Sequence, residues 1–200
     1  MRTTESIKAQ KSQETREAIL SACLKLFAKN GFVSTSVNDI ARAAHITKGA
    51  VYWHFKGKDE LFQAILDRIR IRWQEMVLRP VSVESSAVLR LECLFDCYVE
   101  LFTEAPERCL SLQRILLEGD AEFAPQVARI FRQTAQFIAR ILDDGKARGD
   151  FRRGIDSLLV AHSILGSLSG ASLQSLANRR LTLQALIEEI KTATLARVRA

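Results

Sequence analysis

The sequence has 200 residues, of which 48% are hydrophobic and 26% are charged, a composition typical of a globular protein with one core or two small ones. Three prolines and nine glycines are too few for a fold built from many strands and turns. The recurrent Leu, Ala, Arg and Glu are good helix formers. We therefore expect an all-α protein.

The net charge of +6 lies entirely at one end of the chain. Residues 1–58 contain ten Lys or Arg and four acids, whereas residues 59–200 contain nineteen of each sign. A basic surplus in one segment suits a module that binds a polyanion, because each cation near a phosphate releases condensed counterions. A solvated basic surface is the alternative that charge alone leaves open.

The cysteines and the apolar runs bear on chemistry and location. Cys23, Cys93, Cys97 and Cys109 form no pair or Cys/His cluster with zinc spacing, and neither a signal peptide nor an apolar run of membrane-spanning length is present. We expect a cytoplasmic protein without metal, cofactor or membrane contact, whose cysteines are small buried hydrophobes. Cys93 and Cys97 lie one helical turn apart, which leaves a thiol sensor as a minor alternative.

The N-terminal elements begin with a polar stretch, residues 1–13, which we interpret as a flexible basic arm. Residues 14–29 carry apolar side chains at helical spacing, and Gly31 supplies a C-terminal stop. Ser36 and Asp39 resemble a capping box that opens a short second helix.

A tight connection at His45 leads into another short helix, which Thr47 is placed to cap. Two short helices joined by such a turn, the first with alanines on its packing side, predict a helix-turn-helix.

The rest of the chain predicts a helical body. A helix over 59–78 should be stopped by Pro80 and followed by a loop over 81–86. Five more helices are expected, at 87–104, 107–119, 124–147, 155–177 and 181–198. We therefore divide the chain into the arm at 1–13, a three-helix head at 14–60 that carries the helix-turn-helix and a larger helical body at 61–200.

The run TREAILSACLKLFAKNGFVSTSVNDIARAAHITKGAVYWHFKGKDELFQAIL, from Thr15 to Leu66, resembles the DNA-binding domain of the TetR family of bacterial transcriptional regulators. Its most specific part is KGAVYWHFKGKDEL, which begins at Lys48. One departure is His45, which stands in the turn where the family usually has Gly. The resemblance implies DNA-binding roles for Thr47, Lys48, Gly49, Tyr52, His54 and Lys58, and similar roles for Thr35 and Ser36 at the preceding helix.

These roles also make physical sense. A recognition helix enters the major groove with its N-terminal end toward the bases, where Thr47 and Lys48 lie. Gly49 lets the backbone approach DNA closely, and Tyr52 shares the exposed face of Lys48. Trp53 either stacks on DNA sugar or covers the edge of the core, and we favour packing.

The resemblance further implies a small-molecule pocket in the body. Residues 87–104 are apolar on nearly every side, as in a helix at the centre of a bundle. Plain core packing is the alternative for each of the candidate pocket residues, which are Trp73, Phe95, Tyr98, Phe102, Phe131 and His162.

Three acids, Glu92, Asp96 and Glu100, form a single stripe on the same helix. Burying three carboxylates is costly, so we expect the stripe to face solvent, which predicts a neutral or aromatic effector. If the stripe instead faces inward, the effector is a lipophilic cation.

The last two helices are expected to form the dimer interface. Gly166 and Gly170 would allow close helix approach, which offsets the helix-destabilising effect of glycine. The candidate interface residues are Gly166, Gly170, Leu173, Leu183, Leu186 and Ile190. The predicted function is a ligand-responsive homodimeric repressor that binds a pseudo-palindromic operator. An enzyme has no supporting catalytic constellation, and an interaction or nucleoid-type module without an effector is the second alternative.

Overall fold

The structure, a computed structural model, describes residues 4–118, 123–178 and 180–200, and for residues 4 and 5 the backbone alone. The described residues form helices joined by short connections, which confirms the all-α fold, and the only β feature among them is an isolated antiparallel bridge between Phe151 and Arg199. The helices are α1 Thr4–Asn30, α2 Val37–Ala43, α3 Lys48–His54, α4 Lys58–Trp73, a π-helical segment Gln74–Leu78, α5 Arg79–Val83, α6 Ala87–Glu104, α7 Pro106–Glu118, α8 Ala124–Arg148, α9 Ser157–Ala177 and α10 Leu183–Val198.

The predicted start and stop signals of the N-terminal helices are confirmed. Gly31 follows α1 with φ of 87°, and His45 takes φ of 55° in the turn between α2 and α3. Ser36 and Asp39 form a reciprocal capping box on α2, and the Thr47 side chain caps α3 by accepting the Ala50 N–H at 3.1 Å. These local interactions set the geometry of the helix-turn-helix.

Helix α1 begins at Thr4 and not at the predicted residue 14. Apolar periodicity is absent from this stretch, but side-chain pairs one turn apart support the helix: the Gln10 amide donates to Glu14 at 2.9 Å, and the Gln13 amide donates to Glu17 at 3.3 Å. Residues 1–3 of the predicted arm lie outside the described residues.

Pro80 does not stop the helix that starts with α4, and the predicted loop is helical as far as Val83. Proline lacks an N–H and its ring clashes with the carbonyl four residues earlier. The preceding turn is widened into a π-helix, in which the Arg79 N–H bonds to the Gln74 carbonyl, and Pro80 falls in the first turn of α5. Val77 and Val81 are fully buried on either side of it, so packing favours continued helix.

Two apolar cores hold the molecule together. The head core is formed by α1 to α4 and includes Phe27, Phe55 and Phe62. It extends past the predicted boundary at residue 60 and takes in Leu112 of α7 and Phe123, which precedes α8. The body core is formed mainly by α5, α6, α8, α9 and α10, with α6 at its centre. Because residues of α7 and α8 contribute to the head core, the head packs directly against helices of the body.

Candidate DNA-binding surface and ligand cavity

The exposed face of α3 carries the central predicted DNA-binding residues. Thr47, Lys48 and Gly49 are exposed, and Tyr52 is 48% exposed. The Lys48 ammonium lies 5.7 Å from the centre of the Tyr52 ring, so the two side chains share one face. Val51, on the opposite side of the helix, is buried in the head core. One side of α3 therefore anchors it, and the other is open to a partner.

A shallow groove of about 360 Å³ runs between α3 and the start of α2. It brings together five of the eight predicted DNA-binding residues: Thr35, Ser36, Lys48, Tyr52 and Lys58. Ser34 and Asn38, which the sequence analysis did not single out, also line it.

Three of these groove residues are already engaged within the chain. The Thr35 hydroxyl is buried and donates to the Gly31 carbonyl at 2.6 Å, which corrects its assignment as a DNA contact. The Ser36 hydroxyl donates to Asp39, and these contacts hold the pKa of Asp39 below its usual value. The Lys58 ammonium donates to the Phe32 carbonyl at 2.6 Å and lies over the Phe32 ring. Thr35, Ser36 and Lys58 thus shape the groove from within.

The end of α3 carries two aromatic residues with different environments. The pKa of His54 lies below its usual value because burial disfavours the charged form and Arg16 repels it. Trp53 is 73% exposed and stands edge-on to His54, so the prediction that Trp53 packs on the core is wrong. Its place beside Tyr52 suits the alternative, contact with DNA sugar.

Helix α7 is tied to the end of α1 by two side chains. The Arg114 guanidinium donates to the Lys29 carbonyl at 3.0 Å, and the Glu118 carboxylate accepts the Phe32 N–H at 3.0 Å. Arg114 and Glu118 also bond each other at 3.1 Å. These contacts attach the head to a helix whose earlier turns lie in the body.

A cavity of about 490 Å³ lies in the body between α4, α6, α7, α8 and α9. Of the six predicted effector-pocket residues, Trp73, Tyr98 and Phe131 line it. The Tyr98 hydroxyl bonds to Ser172 of α9 at 2.7 Å, which holds the ring in the cavity wall.

The other three predicted pocket residues lie elsewhere. Phe95 is fully buried in the body core, and Phe102 is buried against Tyr98 with ring centres 6.4 Å apart. His162 is exposed on the outer face of α9. The first two do not line the cavity, because their rings pack within the body core.

The polar lining of the cavity was missed by the sequence analysis. Arg108 of α7 lines it at 8% exposure, beside Gln113, while Arg70 and Arg140 line its more exposed parts. One signal was available: Arg108 falls four residues before Leu112 on the apolar face of α7, where a charge is unexpected.

The predicted acidic stripe of α6 faces away from the cavity. Glu92 pairs with Arg199 at 3.0 Å, and Asp96 pairs with Lys191 of α10 at 3.0 Å. Among the residues that the structure describes, no Asp or Glu lines the cavity. The expectation that the stripe does not face inward is therefore confirmed.

Cys93 and Cys97 lie close together, with their sulfur atoms 3.6 Å apart. Burial raises the pKa of both thiols, that of Cys97 to about 12. Both thiols therefore stay protonated near neutral pH, which disfavours the thiol-sensor alternative because the thiolate is the reactive form.

The outer face of α9 is apolar and open. Leu159 and Leu173 are 62% and 50% exposed, and no other described residue comes within 4 Å of a Cβ placed on Gly166 or Gly170. The predicted interface residues of α10 differ: Leu183 is buried in the body core, and Leu186 and Ile190 pack partly against it. The assignment of Leu183 to a dimer interface is corrected, because its side chain serves the protomer's own core.

The fold and the exposed α3 define a helix-turn-helix protein. Residues 19–65 match the family model described as bacterial regulatory proteins, tetR family. The N-terminal domain of this chain is therefore similar to the DNA-binding domain of the TetR family of transcriptional regulators.

Individual proteins resemble different parts of the chain. The HTH-type transcriptional regulator AcrR of Shigella flexneri is 54% identical over 56 residues, which are 28% of this chain and 26% of AcrR, so this match spans about a quarter of the relative. The regulator UidR of Escherichia coli K12 is 26% identical over 92% of this chain and 96% of UidR. The solved structure of AibR in complex with isovaleryl coenzyme A and operator DNA has the same fold, with a TM-score of 0.74, 23% identity, and coverage of 88% of this chain and 96% of AibR.

Proposed function

We propose that the protein is a cytoplasmic repressor that binds a pseudo-palindromic operator as a homodimer and releases it when a small hydrophobic effector enters the body cavity. The observation that carries DNA binding is the exposed face of α3, on which Lys48 and Tyr52 stand together. In helix-turn-helix proteins, the second helix of the motif reads the major groove. The basic surplus of residues 1–58 supplies the attraction to phosphate.

Dimerisation is supported by the outer face of α9. Glycine inside a helix costs about 1 kcal/mol relative to alanine, and neither Gly166 nor Gly170 makes room for another part of this chain. A second copy of α9 packing against them would offset that cost and cover Leu159 and Leu173. A dimer would also present two α3 helices to successive major grooves.

The contacts of α7 suggest how the effector would influence the head. Leu112 and Gln113 line the cavity, and Arg114 and Glu118 of the same helix hold the end of α1. An effector that binds one arrangement of α7 more tightly would shift the population toward that arrangement and change the spacing of the heads.

The comparisons support regulation over catalysis. AcrR and UidR are named as transcriptional regulators, and AibR was solved with both a small acyl coenzyme A and operator DNA. The fold of AibR therefore accommodates an effector and an operator in one chain.

DNA binding is tested by selecting bound duplexes from a random library and measuring affinity by fluorescence anisotropy. We expect an inverted repeat and a log–log salt dependence with a slope of several units. Lys48→Ala and Tyr52→Phe should each weaken binding about 5- to 100-fold, since base and phosphate contacts are worth about 1–3 kcal/mol. Arg132→Ala, which removes an exposed charge from α8 of the body, is the matched control and should retain affinity. Unchanged affinity in both α3 variants, with circular dichroism showing folded protein, would exclude this groove-facing assignment.

Effector control separates a repressor from an architectural DNA-binding protein. A compound that occupies the cavity should release the selected operator, and filling the cavity by Leu165→Trp should make release insensitive to that compound. Operator binding that no cavity ligand changes would favour the module without an effector.

A further inference from the structure

The charged side chains that line the cavity among the described residues are all of one sign. Three arginines line it, and no carboxylate of residues 4–118, 123–178 or 180–200 does. The Arg70 side chain is paired with Asp67 at 2.8 Å, outside the lining, whereas Arg140 has no ion pair within the described chain. The cavity therefore favours an anion over a cation.

Arg108 is the buried member of this set. Its Nη1 donates to Glu104 at 2.9 Å, but its buried Nε has no hydrogen-bond partner in the part of the chain that the structure describes. Glu104 is shared, because Arg72 also donates to both of its oxygens, at 2.8 and 2.9 Å. An arginine cannot lose its proton inside a protein, so its remaining donors need an acceptor.

Gln113 presents a second buried polar atom in the same cavity, since its Oε1 has no partner among the described residues. This amide oxygen only accepts, so it would take a hydrogen bond from an N–H or O–H donor and does not bind an anion. Buried polar atoms without partners are rare in folded proteins and mark places where a ligand or water binds. Arg108 belongs to α7, so an anion bound to it would contact the helix that is attached to α1.

The rest of the wall includes uncharged polar side chains such as Thr134 and Ser169, but most of it is apolar and can hold a hydrocarbon or aromatic body. Its side chains come from α4, α6, α7, α8 and α9 and include Trp73, Leu101, Leu112, Ile130, Phe131, Leu165 and Leu168.

We propose that the effector is an apolar molecule with an anionic oxygen group, and that Arg108 binds this group. The charged end accepts from Arg108 Nε, while the apolar end lies against Trp73 and Leu168. This proposal replaces the neutral effector expected from the acidic stripe of α6. The preference for an anion depends on Arg108, which lies on α7. It rests on the proposed function only in treating the cavity as the effector site.

Binding is measured without DNA, so that ligand preference and operator release can fail separately. The chain has two tryptophans, Trp53 in the head and Trp73 in the cavity wall. In a Trp53→Phe background, the fluorescence of Trp73 reports cavity occupancy. The probes are decanoate, decyl phosphate, 1-decanol and decylammonium, which share a chain and differ in the head group.

We expect decanoate and decyl phosphate to bind at least about tenfold more tightly than 1-decanol, and decylammonium to bind most weakly. Arg108→Gln should abolish the preference for anions, and Arg108→Lys should keep part of it. Glu104→Gln should increase it, because the competing carboxylate is removed. Arg132→Gln, outside the cavity, should leave it unchanged.

Opposite effects from Arg108→Gln and Glu104→Gln cannot both arise from loss of folding. Equal affinity for decanoate and 1-decanol, or an anion preference that survives Arg108→Gln, would overturn the proposal. Operator release by 1-decanol alone would overturn it while leaving the proposed function intact. Anion binding through Arg108 without operator release would support this ligand class and contradict the effector role.

Discussion

Single residues decide how the head is attached to the body. Gly31 adopts φ of 87°, a left-handed conformation that glycine reaches without strain. A Cβ at this position would lie 1.6 Å from the Glu118 Oε1 atom. One position thus ends α1 and also leaves room for the carboxylate that accepts the Phe32 N–H.

Gly31→Ala is expected to lower the free energy of unfolding by about 2–4 kcal/mol, from backbone strain and displacement of Glu118. Gly149→Ala is the matched control, because Gly149 has φ of 85° but no described residue lies within 4 Å of a Cβ placed on it. Backbone strain alone should therefore lower its free energy of unfolding. Urea unfolding measures both. Equal losses would contradict a packing role for Glu118.

The pH dependence of stability should reveal the Glu104 network. Hydrogen bonds from Arg72 and then Arg108 lower the pKa of Glu104 to about 2. The stabilisation is fully present above the ordinary pKa of a glutamate and is lost as pH falls from about 4.5 toward 2. Glu104 is 36% exposed, so solvent screening keeps the contribution to about 1 kcal/mol.

Glu104→Gln should therefore be less stable than the parent protein at pH 6 and approach it as the pH falls below 3. Unfolding free energies across this range give the comparison. Glu107→Gln, three residues further on in the first turn of α7 and without an ion pair among the described residues, should show no such convergence. Parallel curves for the parent and Glu104→Gln would contradict the assignment.

At the scale of elements, α7 and the start of α8 connect the two cores. Leu112 and Ile115 of α7 belong to the head core, as does Phe123 before α8. The Phe123 ring lies 4.5 Å from that of Phe32 and 4.1 Å from that of Phe62. The head core is therefore completed by residues more than forty positions beyond the helix-turn-helix.

Phe123→Ala should destabilise the protein by about 3–5 kcal/mol, because the side chain is 2% exposed and its loss leaves a void among aromatic rings. Phe131→Ala serves as the control and should cost less, since Phe131 is only partly buried and already borders a cavity. Chemical denaturation measures the free energy of unfolding of both variants. A smaller loss for Phe123→Ala than for Phe131→Ala would contradict the contribution of Phe123 to the head core.

For the whole molecule, the two faces of α9 have different roles. Its inner face, with Val160, Ile164 and Leu168, belongs to the body core. Its outer face exposes leucines on either side of Gly166 and Gly170. An apolar face of this kind on a soluble helix marks an interaction surface.

Gly166→Leu should convert the proposed dimer to monomer and weaken operator binding while preserving the protomer fold. The protomer should tolerate the change because nothing else in the chain lies within 4 Å of that Cβ. Sedimentation equilibrium gives the assembly state. Gly154→Leu, an equally open glycine outside α9, should leave it unaltered. A dimer that persists in Gly166→Leu would place the interface elsewhere.

Local signals in the sequence determined most of the helices and the helix-turn-helix. Caps, turn residues and apolar periodicity act within a few residues, so Ser36, Thr47 and Gly31 can be interpreted from their immediate neighbours. The start of α1 and the passage through Pro80 escaped prediction. The first depends on polar side-chain pairs without apolar periodicity, and the second on burial of Val77 and Val81 in a distant core.

The two candidate sites also differ in how far the sequence predicts them. The face shared by Lys48 and Tyr52 follows from helical spacing and was predicted. The cavity depends on which sides of five helices meet, so Phe95 and His162 were misplaced, and Arg108 was missed. The sequence by itself determined the DNA-binding class, because that motif is local. Only the tertiary structure decided which charges surround the cavity, because residues far apart in the chain are brought together by packing.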